Sequence, residues 1–93
     1  MTREAGVREH WTEMTDQIRQ IIADHGRMPV DAHAIDDHAD LYQAGMTSHA
    51  SVNVMLALED AFDIEFPDAM LKRSVFESVA SIAAALTALE AAA

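Results

Sequence analysis

Ser48 stands where a stretch of small and polar residues, Gly45-Met46-Thr47-Ser48, meets the start of an amphipathic run. A hydroxyl there has two uses. It can cap the helix, which is the commonest role of serine at such a place. It can also carry a phosphate group, because the helix dipole and the free backbone N–H groups of a first turn stabilise negative charge. His49 beside it invites a Ser-His reading. A nucleophilic serine needs a base oriented by a third group and an oxyanion hole, and the sequence supplies neither, so no catalytic residue is assigned.

A second set of chemically able residues is His33 and His38 with Asp36, Asp37 and Asp40. Their spacing matches neither the two ligands of one helical turn nor a compact calcium loop, so no metal is assigned to them. A third feature is apolar. Val52 and Leu56, four residues apart, project on a face different from that of Val54, Met55, Leu58 and Phe62, beside Asn53, Glu59 and Asp60. Either this helix is buried on more than one side, or the pair forms an exposed strip for a partner. Between Arg27 and Lys72 there is no Lys or Arg, while Asp31, Asp36, Asp37, Asp40, Glu59, Asp60, Asp63, Glu65 and Asp68 all lie there. An apolar strip rimmed by one sign of charge is the layout of a steered docking face.

The elements that must position these residues belong to a small chain. With 93 residues, 51% of them hydrophobic, and a net charge of −10, it supports a single domain, 1–93, with one core and its charge outside. Disorder is excluded as the main state. The absence of cysteine removes disulfides and thiolate sites, and the apolar runs are too short to span a bilayer, so a cytoplasmic protein is expected. The acidic balance opposes binding to nucleic acid or anionic membrane and favours partners with basic surfaces.

Val7, Trp11, Met14, Ile18, Ile21 and Ile22 recur at steps of three and four, predicting a helix over about 4–24 closed by Gly26. Residues 27–47 show no sustained period and read as a long loop pinned by Val30, Ile35, Leu41 and Tyr42, a length that is usually functional. A second helix is predicted over 48–62 and a short third over 67–72, with Pro67 in its first turn. The fourth, over 78–91, starts either from a Ser74 and Glu77 capping box or from Ser78 after a core-plugging Phe76, and Ser78 is preferred. No strand-like alternation is present. The class is an all-α bundle of three longer helices and one short one, its core including Trp11, Ile18, Leu41, Val54, Leu58, Phe62, Val79, Ile82 and Leu86.

At this point the sequence resembles the acyl and peptidyl carrier protein family. Asp40-Leu41-Tyr42-Gln43-Ala44-Gly45-Met46-Thr47-Ser48 looks like the family's approach to its 4′-phosphopantetheine serine, and Val52 through Leu56-Ala57-Leu58-Glu59-Asp60-Ala61-Phe62-Asp63-Ile64-Glu65-Phe66-Pro67 is similar to its recognition helix and exit. The family's usual Asp-Ser-Leu is here Thr47-Ser48-His49. The resemblance implies a four-helix carrier fold and a covalent 4′-phosphopantetheine arm on Ser48, attached by a separate phosphopantetheinyl transferase. It also implies a thioester-held cargo and no catalysis by the chain itself. Thr47, His49, Val52, Asn53, Leu56, Glu59 and Asp60 are the expected partner face of a monomer that meets an acyl- or aminoacyl-loading ligase and downstream transferases with basic docking surfaces.

The segment FDIEFPDAMLKRSVFESVASI is similar to small free-standing carriers charged with amino acids by seryl-tRNA-synthetase-like ligases, and a specialised acyl carrier is the other cargo reading. The rival from another class is an unmodified acidic helical interaction domain, which would need the docking face and have no use for Ser48.

Overall fold

The computed structural model describes residues 2–92, with side chains described from 12 to 91. Among the described residues four α-helices, α1 (Thr2–His25), α2 (Ser48–Phe62), α3 (Arg73–Phe76) and α4 (Val79–Ala92), are joined by segments containing single 3-10 turns at Ala32–Ala34 and Asp68–Met70. No strand occurs among the described residues, and the all-α expectation holds. No described helix is long and apolar enough to cross a membrane.

The apolar stripe of α1 buries Met14, Ile18, Ile21 and Ile22, and the helix packs on both α2 and α4. Trp11, expected in the core, lies outside the residues whose side chains are described. The helix stops where the Gly26 amide donates to the Ile22 carbonyl at 2.7 Å and Arg27 turns left-handed at φ 52°. Ala50, Val54 and Leu58 are the buried face of α2. Ile18, Leu41, Val54, Leu58, Val79, Ile82 and Leu86 are all in the core as expected.

Phe62 is the exception among the expected core residues. It is only half-buried and packs on the edge of the core, and the aromatic interior belongs instead to Phe66 and Phe76, whose rings meet edge to face at 5.3 Å. The short helix expected over 67–72 is also corrected. Residues 68–70 make one 3-10 turn, the chain straightens at Lys72 (φ −127°, ψ 151°), and the α-helical turn follows at 73–76. Pro67 does start a turn, but carrying the helix on would compete with delivering Phe76 inward, and burial of the aromatic ring prevails. Ser78 caps α4: its Oγ accepts the Ser81 amide at 3.0 Å, and its own amide donates to Ser81 Oγ at 3.1 Å. That reciprocal pair has the form of a capping box.

The long loop is held by its main chain as much as by anchors. Leu41 is fully buried, Ile35 and Tyr42 are partly so, and Val30, also expected as an anchor, is 47% exposed. Ala32 and Met46 are buried in its stead. The Leu41 amide donates to the Glu77 carbonyl at 2.7 Å, and the Ala80 amide, a first-turn donor of α4, donates to the Asp37 carbonyl at 2.8 Å. On the other side, the Arg19 guanidinium of α1 donates to the Ala32 and Ile35 carbonyls and pairs with Asp37. The loop is thereby bonded to the first helix and to the start of the last.

Candidate functional site

The helix cap expected of a serine at this position falls to its neighbour. Thr47 is the extended residue before α2 (φ −81°, ψ 163°), and its Oγ1 accepts the Ala50 amide at 3.0 Å. Ser48 is the first helical residue. It is exposed, and among the described residues its hydroxyl has no hydrogen-bond partner. A free hydroxyl at the N-terminus of a 15-residue helix with no acidic residue in its first turn is placed to accept an anionic substituent.

The approach to Ser48 is fixed by turn chemistry. Asp31, Asp36 and Asp40 each accept, through Oδ1, the amide two residues on, from His33, His38 and Tyr42, at 2.9, 2.8 and 2.9 Å. These are Asx turns. His33 and His38, singled out in the sequence with Asp36, Asp37 and Asp40, each give their backbone N–H to the aspartate two residues before, and no group of three potential metal ligands converges among the described residues. Gly45 closes the approach at φ 122°, where an added Cβ would lie 2.5 Å from Pro29 Cδ. Only glycine satisfies both the conformation and the contact.

Ser48 opens onto a cleft of about 390 Å³ whose apolar lining includes Val52, Met55 and Leu71. Lys72 and Arg73 line the same cleft, and the Arg73 guanidinium lies 4.1 Å from the centre of the Tyr42 ring. Val52 is 49% and Leu56 52% exposed, so the second face of α2 is open to solvent. The two residues address different hollows. Val52 belongs to the Ser48 cleft, whereas Leu56, Asn53 and Asp60 line a second one with Ile21 and His25 at the end of α1. His49 and Asp60 are exposed and Asn53 is half-buried.

Glu59 has a task inside the fold, since its Oε2 accepts the Phe66 amide at 2.9 Å. Charge counting could not separate such acids from free ones. Of the nine between Arg27 and Lys72, the side chains of Asp60, Asp63, Glu65 and Asp68 have no intramolecular partner among the described residues. Sequence reasoning missed Leu71, Lys72 and Arg73 as neighbours of Ser48. The available signal was that Lys72 and Arg73 end a stretch otherwise devoid of cations.

The family described as the phosphopantetheine attachment site matches residues 16–86. The chain is 51% identical over 69 residues to an aminoacyl carrier protein of Agrobacterium fabrum (strain C58 / ATCC 33970), covering 74% of this chain and 83% of that protein. It is similar, with a TM-score of 0.78 and 47% identity over 81% of this chain and 97% of the other, to a chain in a crystal structure. That structure is of an engineered Bradyrhizobium japonicum glycine:[carrier protein] ligase complexed with a carrier protein from Agrobacterium tumefaciens and ATP. A solution structure of an Agrobacterium tumefaciens protein aligns with a TM-score of 0.67 and 44% identity, covering 85% of this chain and 99% of that one.

Proposed function

The chain belongs to the family of the phosphopantetheine attachment site, and on that premise we propose that it is an aminoacyl carrier protein whose arm is joined to Ser48. The observation that carries the assignment is the division of labour at the start of α2, where Thr47 takes the cap and leaves the Ser48 hydroxyl exposed. Carrier proteins of this family are not catalysts. The Ser48 oxygen forms a bond to the phosphorus of coenzyme A nearer the pantetheine, the pyrophosphate P–O bond breaks, and the nucleotide half departs. The serine proton passes to the transferase that carries out the exchange. The arm, once attached, supplies a terminal thiol that holds an acyl group as a thioester.

An amino acid is the cargo that the relatives favour. One of them is an aminoacyl carrier protein, and another is seen with an ATP-bound glycine:[carrier protein] ligase. On this reading an ATP-dependent ligase loads the arm and a downstream transferase with a basic docking surface removes the residue. On the same reading Thr47, His49, Val52, Asn53, Leu56, Glu59 and Asp60, running along α2 from the attachment point, are the partner face of a monomer, with Glu59 acting through the Phe66 turn it braces. The setting is cytoplasmic, where ATP, coenzyme A and the ligase are available together.

Mass spectrometry tests the assignment. Incubation with coenzyme A and a broad-specificity phosphopantetheinyl transferase adds one arm to the wild type and none to Ser48→Ala. Equal modification of that variant, or attachment at Ser51, overturns it.

A further inference from the structure

We infer that Lys72 and Arg73 form the seat of the arm's phosphodiester, holding the first part of the arm in the cleft beside α2; the inference rests on Ser48 as the attachment point. The chain has a net charge of −10, so a further anion at its surface is disfavoured unless cations lie close by. Among the residues with described side chains the cations of Lys and Arg are four, Arg19, Arg27, Lys72 and Arg73. Arg19 is committed to the loop, and Lys72 and Arg73 both line the cleft onto which Ser48 opens.

Arg73 is held for the purpose. Its guanidinium stacks on the Tyr42 ring at 4.1 Å, which limits its rotamers while leaving its N–H edge able to donate to a phosphate. The backbone is extended at Lys72, immediately before the helical turn that begins with Arg73, and both side chains line the cleft. The rest of the lining suits the next part of the arm. A phosphodiester on Ser48 is followed by a methylene and then a carbon bearing two methyl groups, and Val52, Met55 and Leu71 give that branched segment an apolar wall. Attraction at an exposed site is modest and screened by salt, so the arm would be biased toward the cleft and still released to a partner.

Nuclear magnetic resonance of the intact protein before and after modification tests this. Attachment is expected to shift the Arg73 side-chain N–H and the Lys72 and Val52 amide signals. The phosphorus line should have the width of a group tumbling with the whole protein, and about 1 M salt, where the Debye length is about 3 Å, should reverse part of both effects. In Lys72→Gln/Arg73→Gln, two exposed positions, the phosphorus line of the arm-bearing protein should narrow. Attachment with the Arg73 and Lys72 signals unmoved in the wild type, and a phosphorus line equal in wild type and variant, overturns the inference while leaving Ser48 as the carrier residue. No gain of mass at Ser48 would overturn the attachment reading and this inference with it.

Discussion

Thr47 and Ser48 split between them two tasks that a single hydroxyl could not perform at once: Thr47 Oγ1 receives the Ala50 amide at 3.0 Å, and the Ser48 hydroxyl projects uncommitted from the first turn of α2. A helix-start serine that capped would have its oxygen occupied. Thr47→Ala should lower stability by about 1 kcal/mol, whereas Thr47→Asp, which supplies another capping oxygen and complements the dipole, should keep it. Thermal denaturation of the two variants decides the matter. Equal losses in both would mean that the Thr47 cap contributes nothing.

Arg19 is the second point of leverage. Its guanidinium serves two loop carbonyls and Asp37 from one side chain that is 12% exposed. Arg19→Lys keeps the charge and loses the fork, and should cost about 1–3 kcal/mol. Hydrogen exchange should report faster opening at the Leu41 and Ala80 amides, which tie the loop to the end of the bundle. Unchanged exchange at both would show that the main-chain bonds hold the loop unaided.

Gly45→Ala should cost at least about 1–3 kcal/mol, because it combines a conformation foreign to side chains with an overlap on Pro29. Pro29→Ala removes the Cδ that an alanine at 45 would strike. The Gly45→Ala penalty should therefore be smaller in the Pro29→Ala background than in the wild type, with the backbone part remaining. Denaturant midpoints of the four proteins give the coupling, and a coupling of zero would place the whole penalty in the backbone.

For the aromatic residues the expected order is Phe66→Ala worse than Phe62→Ala. Phe66 is 4% exposed and edge-on to Phe76, so its removal should cost about 3–5 kcal/mol. Phe62 packs only at the margin and should cost less by about 1 kcal/mol or more. The reverse order in urea melts would return Phe62 to the core.

Val52→Ala and Leu56→Ala should each change stability by no more than about 0.5 kcal/mol, as expected for exposed positions. Because the two address different hollows, their effects on aminoacylation by a cognate ligase need not match. Leu56→Ala should raise the KM for the carrier and spare attachment of the arm. Normal loading of both variants would remove the second face of α2 from recognition.

What the sequence made legible follows from which residues obey a period. The helix over 48–62 was readable because Val54, Leu58 and their neighbours repeat at the helical step, and the structure ends it at Asp63 in a left-handed turn. Leu41 could be recognised as an anchor, but Val30 could not be told from it, because in an aperiodic stretch the choice is made by distant partners such as the Glu77 carbonyl. The break at Lys72 was hidden for a similar reason: it depends on where Phe76 must go. Ser48 stood out through the motif around it, whereas the acids between Arg27 and Lys72 form a single class in the sequence and several in three dimensions.

The loop leading to Ser48 is fastened to α4 through amides and carbonyls, Leu41 to Glu77 and Ala80 to Asp37. These two main-chain ties make no demand on side-chain identity, whereas Asp31, Asp36, Asp40, Gly45 and Arg19 hold the same path through their own side chains or the lack of one. The unusual Thr47-Ser48-His49 triplet is then an affordable variation. Its first residue caps the helix and its last faces solvent. Exposed positions beside Ser48, His49 and Val52 among them, can therefore be substituted without disturbing the main-chain ties beneath.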